Sequence, residues 1–325
     1  MRRGAALALA AALATGLPGC AVFTLPPQTA ALLQQAPADL PRQAERTEVP
    51  FFPQTPYHCG PAALATALAH VGLTADVQAL GEAVFLPARE GSLQLEMIAG
   101  ARRHGAVATR LPGELSALLR EVAAGHAVVV LQNLGLAIAP RWHYAVLVGY
   151  DLDAGELLLR SGTTERERLP LRTFEHTWAR GGHWAIAVLP PGQWPVTATE
   201  ASSLQAAIGF ERAAPPTQAA LAYRNLLERW PDNLVAGIGL GNALQAAGDL
   251  TGAARAFNAV AERHDSAVAW NNLARLHLAR GDPKQALAAA EKAVARATRA
   301  EPQWLAATRE TLALARAAAG TSATR

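Results

Sequence analysis

Cys59 lies in the run Gln54-Thr55-Pro56-Tyr57-His58-Cys59-Gly60-Pro61-Ala62-Ala63. A helix is predicted from Gly60 to Val71, with Pro61 tolerated in its first turn. The unpaired N–H groups and the dipole of a helix start favour a thiolate, the nucleophilic form of the side chain. Gln54, five residues upstream, can return across the turn and set its carboxamide beside the sulfur. Together with the Cys59 backbone N–H it would supply the two donors of an oxyanion hole. Gly60 is expected to let a substrate backbone approach. The chemistry this spacing suits is nucleophilic attack on an acyl carbon. The plainer alternative is a small buried hydrophobe, which is what a lone cysteine usually is.

Other groups carry weaker signals. His58 reads as a solvent-facing turn residue beside the nucleophile. His176 and His183, close to Trp178 and Trp184, have no third ligand at metal spacing and read as core or surface histidines. Glu165 and Glu167 read as a solvated face on a charged turn. Gly237-Ile238-Gly239-Leu240-Gly241 lacks a preceding strand, so small residues for close helix packing explain it better than a dinucleotide fingerprint. No Gly-x4-Gly-Lys-Ser/Thr occurs anywhere. No cofactor and no metal are expected.

Three stretches together resemble the papain-like cysteine peptidases, and specifically the peptidase domain of bacteriocin-processing exporters that cut after double-glycine leaders. They are Gln-x4-Cys-Gly-Pro-Ala from Gln54, Gly91-Ser92 leading into a helix that ends Ala101-Arg102-Arg103-His104-Gly105, and Trp142-His143-Tyr144-Ala145-Val146-Leu147 on a strand. The resemblance spans 48–191. It implies N-terminal helices packed on an antiparallel sheet, Cys59 as nucleophile, Gln54 in the oxyanion hole and His143 as general base. The family's third member is an Asp on the following strand. Here Leu158-Leu159-Arg160-Ser161-Gly162 puts Ser161 at that place. A serine can accept the His143 N–H bond and hold the tautomer, but it brings no charge to an imidazolium. Asp151 and Asp153 sit at the far end of the strand from His143. The implied reaction is hydrolysis of a peptide or amide bond through a Cys59 thioester. A second class stays open, a decayed peptidase fold that binds peptides or proteins as a scaffold. Ser161 favours the scaffold, and the intact Gln54, Cys59 and His143 favour the enzyme.

The elements that must position these residues follow from pattern. Helices are predicted at Val77–Val84, at Ser92–His104 with Ser92 as its cap, and at Glu114–Ala124. Short apolar or alternating runs at Ala127–Leu131, His143–Tyr150, Glu156–Arg160 and His183–Leu189 read as strands, with a turn at Asp153-Ala154-Gly155. This makes an α+β domain ending near Pro190-Pro191, followed by a linker over 192–202. Beyond it, Ala219/Tyr223 recurs as Ala253/Phe257 after 34 residues and as Ala286/Ala290 after 33 more. Gly248-Asp249 and Gly281-Asp282 repeat at the same 33-residue interval. The period resembles tetratricopeptide repeats over 203–320, and implies an all-α region that binds a protein partner.

Hydrophobic residues make up 51% of the 325 and charged ones 17%, enough to build large cores and to exclude global disorder. The net charge of +3 comes from scattered basic residues, so no nucleic-acid groove is expected. Arg2 and Arg3, the apolar run Ala5–Leu17 and Leu17-Pro18-Gly19-Cys20 have the shape of an export signal. The last four residues resemble a lipobox, which implies a signal peptide over 1–19, a lipid on Cys20 and a membrane-anchored tether over 20–47. Ala21 after the cysteine favours the outer membrane, facing the periplasm.

Overall fold

The computed structural model describes residues 25–54, 58–74 and 76–323. The expected signal peptide and Cys20 lie outside them. The first half holds α1 (Pro27–Gln34), β1 (Gln43–Glu45), α2 (Cys59–His70), α3 (Val77–Val84), α4 (Gln94–Arg103), β2 (Val107–Arg110) and α5 (Leu115–Ala123). Then come β3 (Val128–Asn133), β4 (Trp142–Asp151), β5 (Glu156–Ser161), β6 (Thr164–Pro170), α6 (Leu171–Arg180) and β7 (Ala185–Leu189). The strands form one antiparallel sheet in the order β2-β7-β3-β4-β5-β6, with β1 added to the far end of β4.

Both faces of this sheet are covered, which explains why its central strands are nearly continuous apolar runs. Val129, Leu131, Tyr144, Val146 and Ile186 pack with Leu64 and Leu68 of α2, Leu80 of α3 and Met97 of α4. The alternate residues Val128, Val130, Ala145 and Leu147 meet Leu118 of α5 and Phe174 and Trp178 of α6 on the other side. The sequence reading does not anticipate α6 or β6. Leu171, Phe174 and Trp178 do carry a helical stripe, buried here. β6 runs Thr-Glu-Arg-Glu-Arg and shows no apolar face; it is an edge strand held by its ladder to β5 and by the Arg166–Glu45 and Arg168–Glu156 ion pairs.

The expected tether is fastened down where it is described. The Glu175 carboxylate, 4% exposed, accepts from the backbone N–H groups of Gln28 (3.0 Å) and Thr29 (2.6 Å) and from the Thr29 hydroxyl (2.7 Å). It thereby satisfies the orphan donors at the start of α1. Leu32 and Leu40 are buried in the α5–α6 core, and β1 pairs with Gly149–Asp151. Composition alone misses this, because a Pro- and Gln-rich segment can still pack through two leucines and one cap.

The region from 200 onward is all helical: α7 (Glu200–Glu211), α8 (Pro216–Arg229), α9 (Leu234–Ala246), α10 (Leu250–His264), α11 (Ala267–Ala279), α12 (Pro283–Arg299) and α13 (Leu305–Ala323). This arrangement is compatible with a helical repeat domain. Ala219, Tyr223, Ala253, Phe257, Ala286 and Ala290 are all buried. A Cβ on Gly239 would overlap the Tyr223 ring and one on Gly241 the Phe257 ring, so the glycine run lets rings of neighbouring helices seat against backbone. Gly248 and Gly281, at φ +84° and +74°, end α9 and α11 in the left-handed conformation that suits glycine.

Residues 192–202 are no free linker. Trp194 and Val107 belong to the helical region's own core, and Arg102 of α4 covers Gly209 of α7. Glu121 of α5, fully buried, accepts from the backbone N–H of Val196 (3.2 Å) and of Thr197 (2.7 Å) and from His126 Nδ1 (2.7 Å). The two halves therefore share apolar and polar contacts, which a sequence boundary at two prolines does not disclose.

Candidate active site

Cys59 opens α2, whose axis lies on the sheet face beneath β4. β5 ends at Ser161, so the β4 backbone around Tyr144 has no strand on that side and its polar groups turn to other partners. The Tyr144 N–H faces the Cys59 sulfur. The Tyr144 carbonyl accepts from Gln54 Nε2 at 3.3 Å. Gln54 is fixed twice more: its N–H donates to the Gly162 carbonyl at 2.9 Å, and its Oε1 accepts from the Gly162 N–H at 3.1 Å. Cys59 and the Gln54 carboxamide thus meet on one residue, the neighbour of His143. The Gln54 amide nitrogen has a second hydrogen left to offer.

His143 Nε2 lies 2.9 Å from Ser161 Oγ. With the proton on Nε2 the serine accepts it, and Nδ1 is the basic nitrogen that remains. Ser161 is 8% exposed, at a register shift in the β5–β6 ladder, and Gly162 at φ +57° turns the chain sharply behind it.

Electrostatics at rest differ from the expected thiolate. Burial pushes the Cys59 thiol up from its ordinary value, although the N–H groups of Tyr144, Gly60 and Cys59 itself pull the other way. Burial likewise lowers His143, with Arg141 adding to the fall and Glu167 opposing it. Both shifts favour a neutral thiol and a neutral imidazole. The helix start is present, but desolvation outweighs it.

Several sequence expectations change in detail. Gly60 is buried, and a Cβ on it would overlap the Ser92 hydroxyl. Its smallness serves internal packing, not substrate approach. Ser92 does not cap α4, which starts after Leu93 without a side-chain cap; instead its carbonyl accepts from the Tyr144 hydroxyl at 3.2 Å. Ser92 thereby sits between Tyr144 and the first turn of α2. His58 is half-buried, stacked on Phe85 with ring centroids 5.2 Å apart, and not a solvent-facing residue. It lines a cleft of about 840 Å³ between α2 and α3, together with Pro53, Ala62, Val77, Gly81 and Phe85. The cleft adjoins Cys59 through His58.

Asp151 and Asp153 stay at the far end of β4, where Asp151 accepts the N–H groups of Asp153 and Ala154 at 2.9 Å and Asp153 pairs with Arg42. His176 is exposed on α6, and His183 meets the Trp178 ring edge-on at 4.7 Å. No group of three metal-ligating side chains occurs among the described residues. Two residues that matter are invisible in pattern. Glu167, on β6 opposite Leu159, bears on the imidazole through its charge. Arg160, 4% exposed, donates to the carbonyls of Val49 (2.9 and 3.1 Å), Thr47 (3.3 Å) and Glu165 (2.6 Å). It fixes the segment that leads to Gln54. An arginine amid Leu158-Leu159 is the only hint the sequence offers.

Residues 46–186 match the Peptidase_C39 like family. No curated protein matches the chain. Among solved structures, a protein described as a C39-like peptidase from Bacillus anthracis is 20% identical at a TM-score of 0.38, covering 46% of this chain and 98% of its own. The peptidase domain of Streptococcus ComA, described as a bi-functional ABC transporter involved in quorum sensing, is 19% identical at 0.36, covering 44% and 98%. MamA is 15% identical at 0.29, covering 39% and 82%. The α+β half has the C39-like cysteine-peptidase fold, followed by an all-helical region.

Proposed function

We propose that the protein is a cysteine peptidase in which Cys59, His143 and Gln54 carry the reaction. The meeting of Cys59 and Gln54 on the backbone of Tyr144, beside a His143 held by Ser161, is the observation that supports it. His143 Nδ1 takes the thiol proton as Sγ bonds to the substrate carbonyl carbon. The oxyanion is met by the Cys59 N–H and the free hydrogen of Gln54 Nε2. The imidazolium then protonates the leaving amine as the C–N bond breaks. Water, deprotonated by the same nitrogen, cleaves the thioester and restores the thiol. Because the resting pair is neutral, the proton transfer belongs to the substrate complex, where a bound peptide excludes water and the developing oxyanion is held.

Ser161 is the third member in this reading, holding the tautomer without charge. We place the chain in the cell envelope, lipid-anchored at Cys20 and facing the periplasm from the outer membrane, with a protein partner on the helical region. The substrate class is a peptide or protein. The test is labelling of the full chain by a thiol-directed activity probe, with hydrolysis followed on a peptide library. Labelling lost in Cys59→Ser and turnover lost in His143→Ala are expected. Labelling without turnover on any peptide would favour a binding scaffold. A mature chain that carries no acyl group on Cys20 by mass spectrometry would remove the lipid anchor from the proposal.

A further inference from the structure

The β3–β4 hairpin continues past its ladder as Leu134-Gly135-Leu136-Ala137-Ile138-Ala139-Pro140-Arg141, a tip without a carboxylate. Ile138 is 92% exposed, Leu136 67% and Trp142 56%. The tip is nevertheless built. The Leu134 N–H donates to the Arg141 carbonyl at 2.8 Å, and Asn133 Oδ1 accepts from the N–H groups of Gly135 and Arg141 at 2.9 Å each. A Cβ on Gly135 would overlap the Ala139 carbonyl, and Arg180 of α6 clamps the Asn133 carbonyl at 3.0 and 3.1 Å. Large aliphatic side chains are thus held out in water by an ordered frame. A patch of this kind marks an interaction surface.

What covers it is indicated by what else leaves the sheet at this end. β3 ends and β4 begins here, so His143 and the β5–β6 turn at Ser161 share the edge. So does the start of α1: Gln28 Nε2 donates to the carbonyl of Gly113, which follows β2 and packs on His183 just ahead of β7. Leu25 therefore enters from the same end as the tip. Five residues before it is Cys20, the position proposed above to carry the lipid. From Cys20 to Leu25 the chain reaches at most about 17 Å, and the tip stands beyond the last β3–β4 pair, Asn133 with Trp142, closed by the isolated Leu136–Ala139 bridge. A lipid on Cys20, on which this inference rests, and the tip can thus meet one plane. The tip's own chemistry is ordered as a bilayer interface is, with aliphatic groups outermost and an aromatic and a cation, Trp142 and Arg141, at the collar.

We propose that this tip docks on a phospholipid bilayer and sets the catalytic end of the sheet against the membrane surface. Leu136 and Ile138 enter the acyl region, and Trp142 and Arg141 lie at headgroup level. The proposal does not require that Cys59 be catalytic. In the full chain carrying Cys20→Ser and Cys59→Ser, Ile138→Cys bears an environment-sensitive fluorophore. Ala124→Cys, exposed at the opposite end between α5 and β3, serves as control. Both are floated with phosphatidylethanolamine–phosphatidylglycerol vesicles containing nitroxide-labelled acyl chains.

The expected result is a blue shift and nitroxide quenching at 138, absent at 124, and lost when Leu136→Gln and Trp142→Gln are added. A water-like spectrum at 138 on floated protein overturns the proposal, as does failure to float. A shift without vesicles that grows with protein concentration assigns the tip to a second copy. A lipid-free shift on adding soluble peptide assigns it to substrate. Either of these also overturns it. Position 138 is almost fully exposed, so its label leaves folding intact.

Discussion

The two halves bury different things. In the α+β half the interior holds bonded polar side chains that join residues far apart in sequence: Gln54 with Gly162, His143 with Ser161, Arg160 with Val49, Glu175 with Thr29. In the helical half it is mostly alanine, glycine and aromatic rings, fitted between consecutive helices. Each buried polar group costs free energy unless its partners are in place. The candidate site therefore lies in the half that holds these long-range polar bonds, and the other half is packed mainly by small residues and rings. Damage should differ accordingly, catalytic in one half and conformational in the other.

The contrast should be sharpest at Cys59, the proposed nucleophile. Cys59→Ser and His143→Ala should each lower turnover by about 10⁴ or more, with thermal unfolding little changed, since the groups of a catalytic unit fail together. Unfolding at markedly lower temperature would instead make the pair a packing feature. Next in size, Ser161→Ala should reduce turnover by roughly 10-fold to 100-fold by freeing the imidazole, while Ser161→Asp holds or raises it. Equal rates in the two variants would remove Ser161 from the site.

In the helical half, Gly241→Val forces a side chain into the Phe257 ring and should destabilise by about 1–3 kcal/mol. Urea unfolding followed by circular dichroism reads this. Because Val107 and Trp194 lie in the same core, some loss should reach the α+β half; full insulation would contradict the shared core.

The smallest effects are electrostatic. Glu167→Gln removes a charge that raises His143, so the imidazole should titrate at lower pH by NMR, and the acid limb of the rate profile should move the same way. Stability follows from the two shifts. Below pH 6.5 the unfolded chain protonates His143 while the folded one does not, so stability falls as pH drops through that value. Above pH 9.0 the unfolded chain ionises Cys59 while the folded one keeps its thiol, so stability falls as pH rises past it. The urea midpoint should be highest between these limits, and Cys59→Ser should flatten the alkaline side.

Legibility in the sequence tracked the range of the interaction. Helix α3 is read to the residue, and the Cys59–Gln54 spacing is read because it is local. Ser161 is reachable because one hairpin brings it opposite the start of β4. Glu167 and β6 escape because alternating charges look solvated on both faces, whatever lies behind them. The protonation state of Cys59 escapes because burial depends on the whole fold, while a helix start can be seen from a dozen residues. The fastening of residues 25–47 escapes for a similar reason, since Glu175 is far away in the chain.

That last fastening has a mechanical meaning. A pull on the N-terminal end of the chain meets the Glu175 clamp on Gln28 and Thr29 first, then the buried Leu32 and Leu40, and only afterwards the short β1 ladder on β4. These links yield in series, and the stretch leading to Gln54 lies behind all three. Tension at that end would be dissipated before it could shift the Gln54 carboxamide.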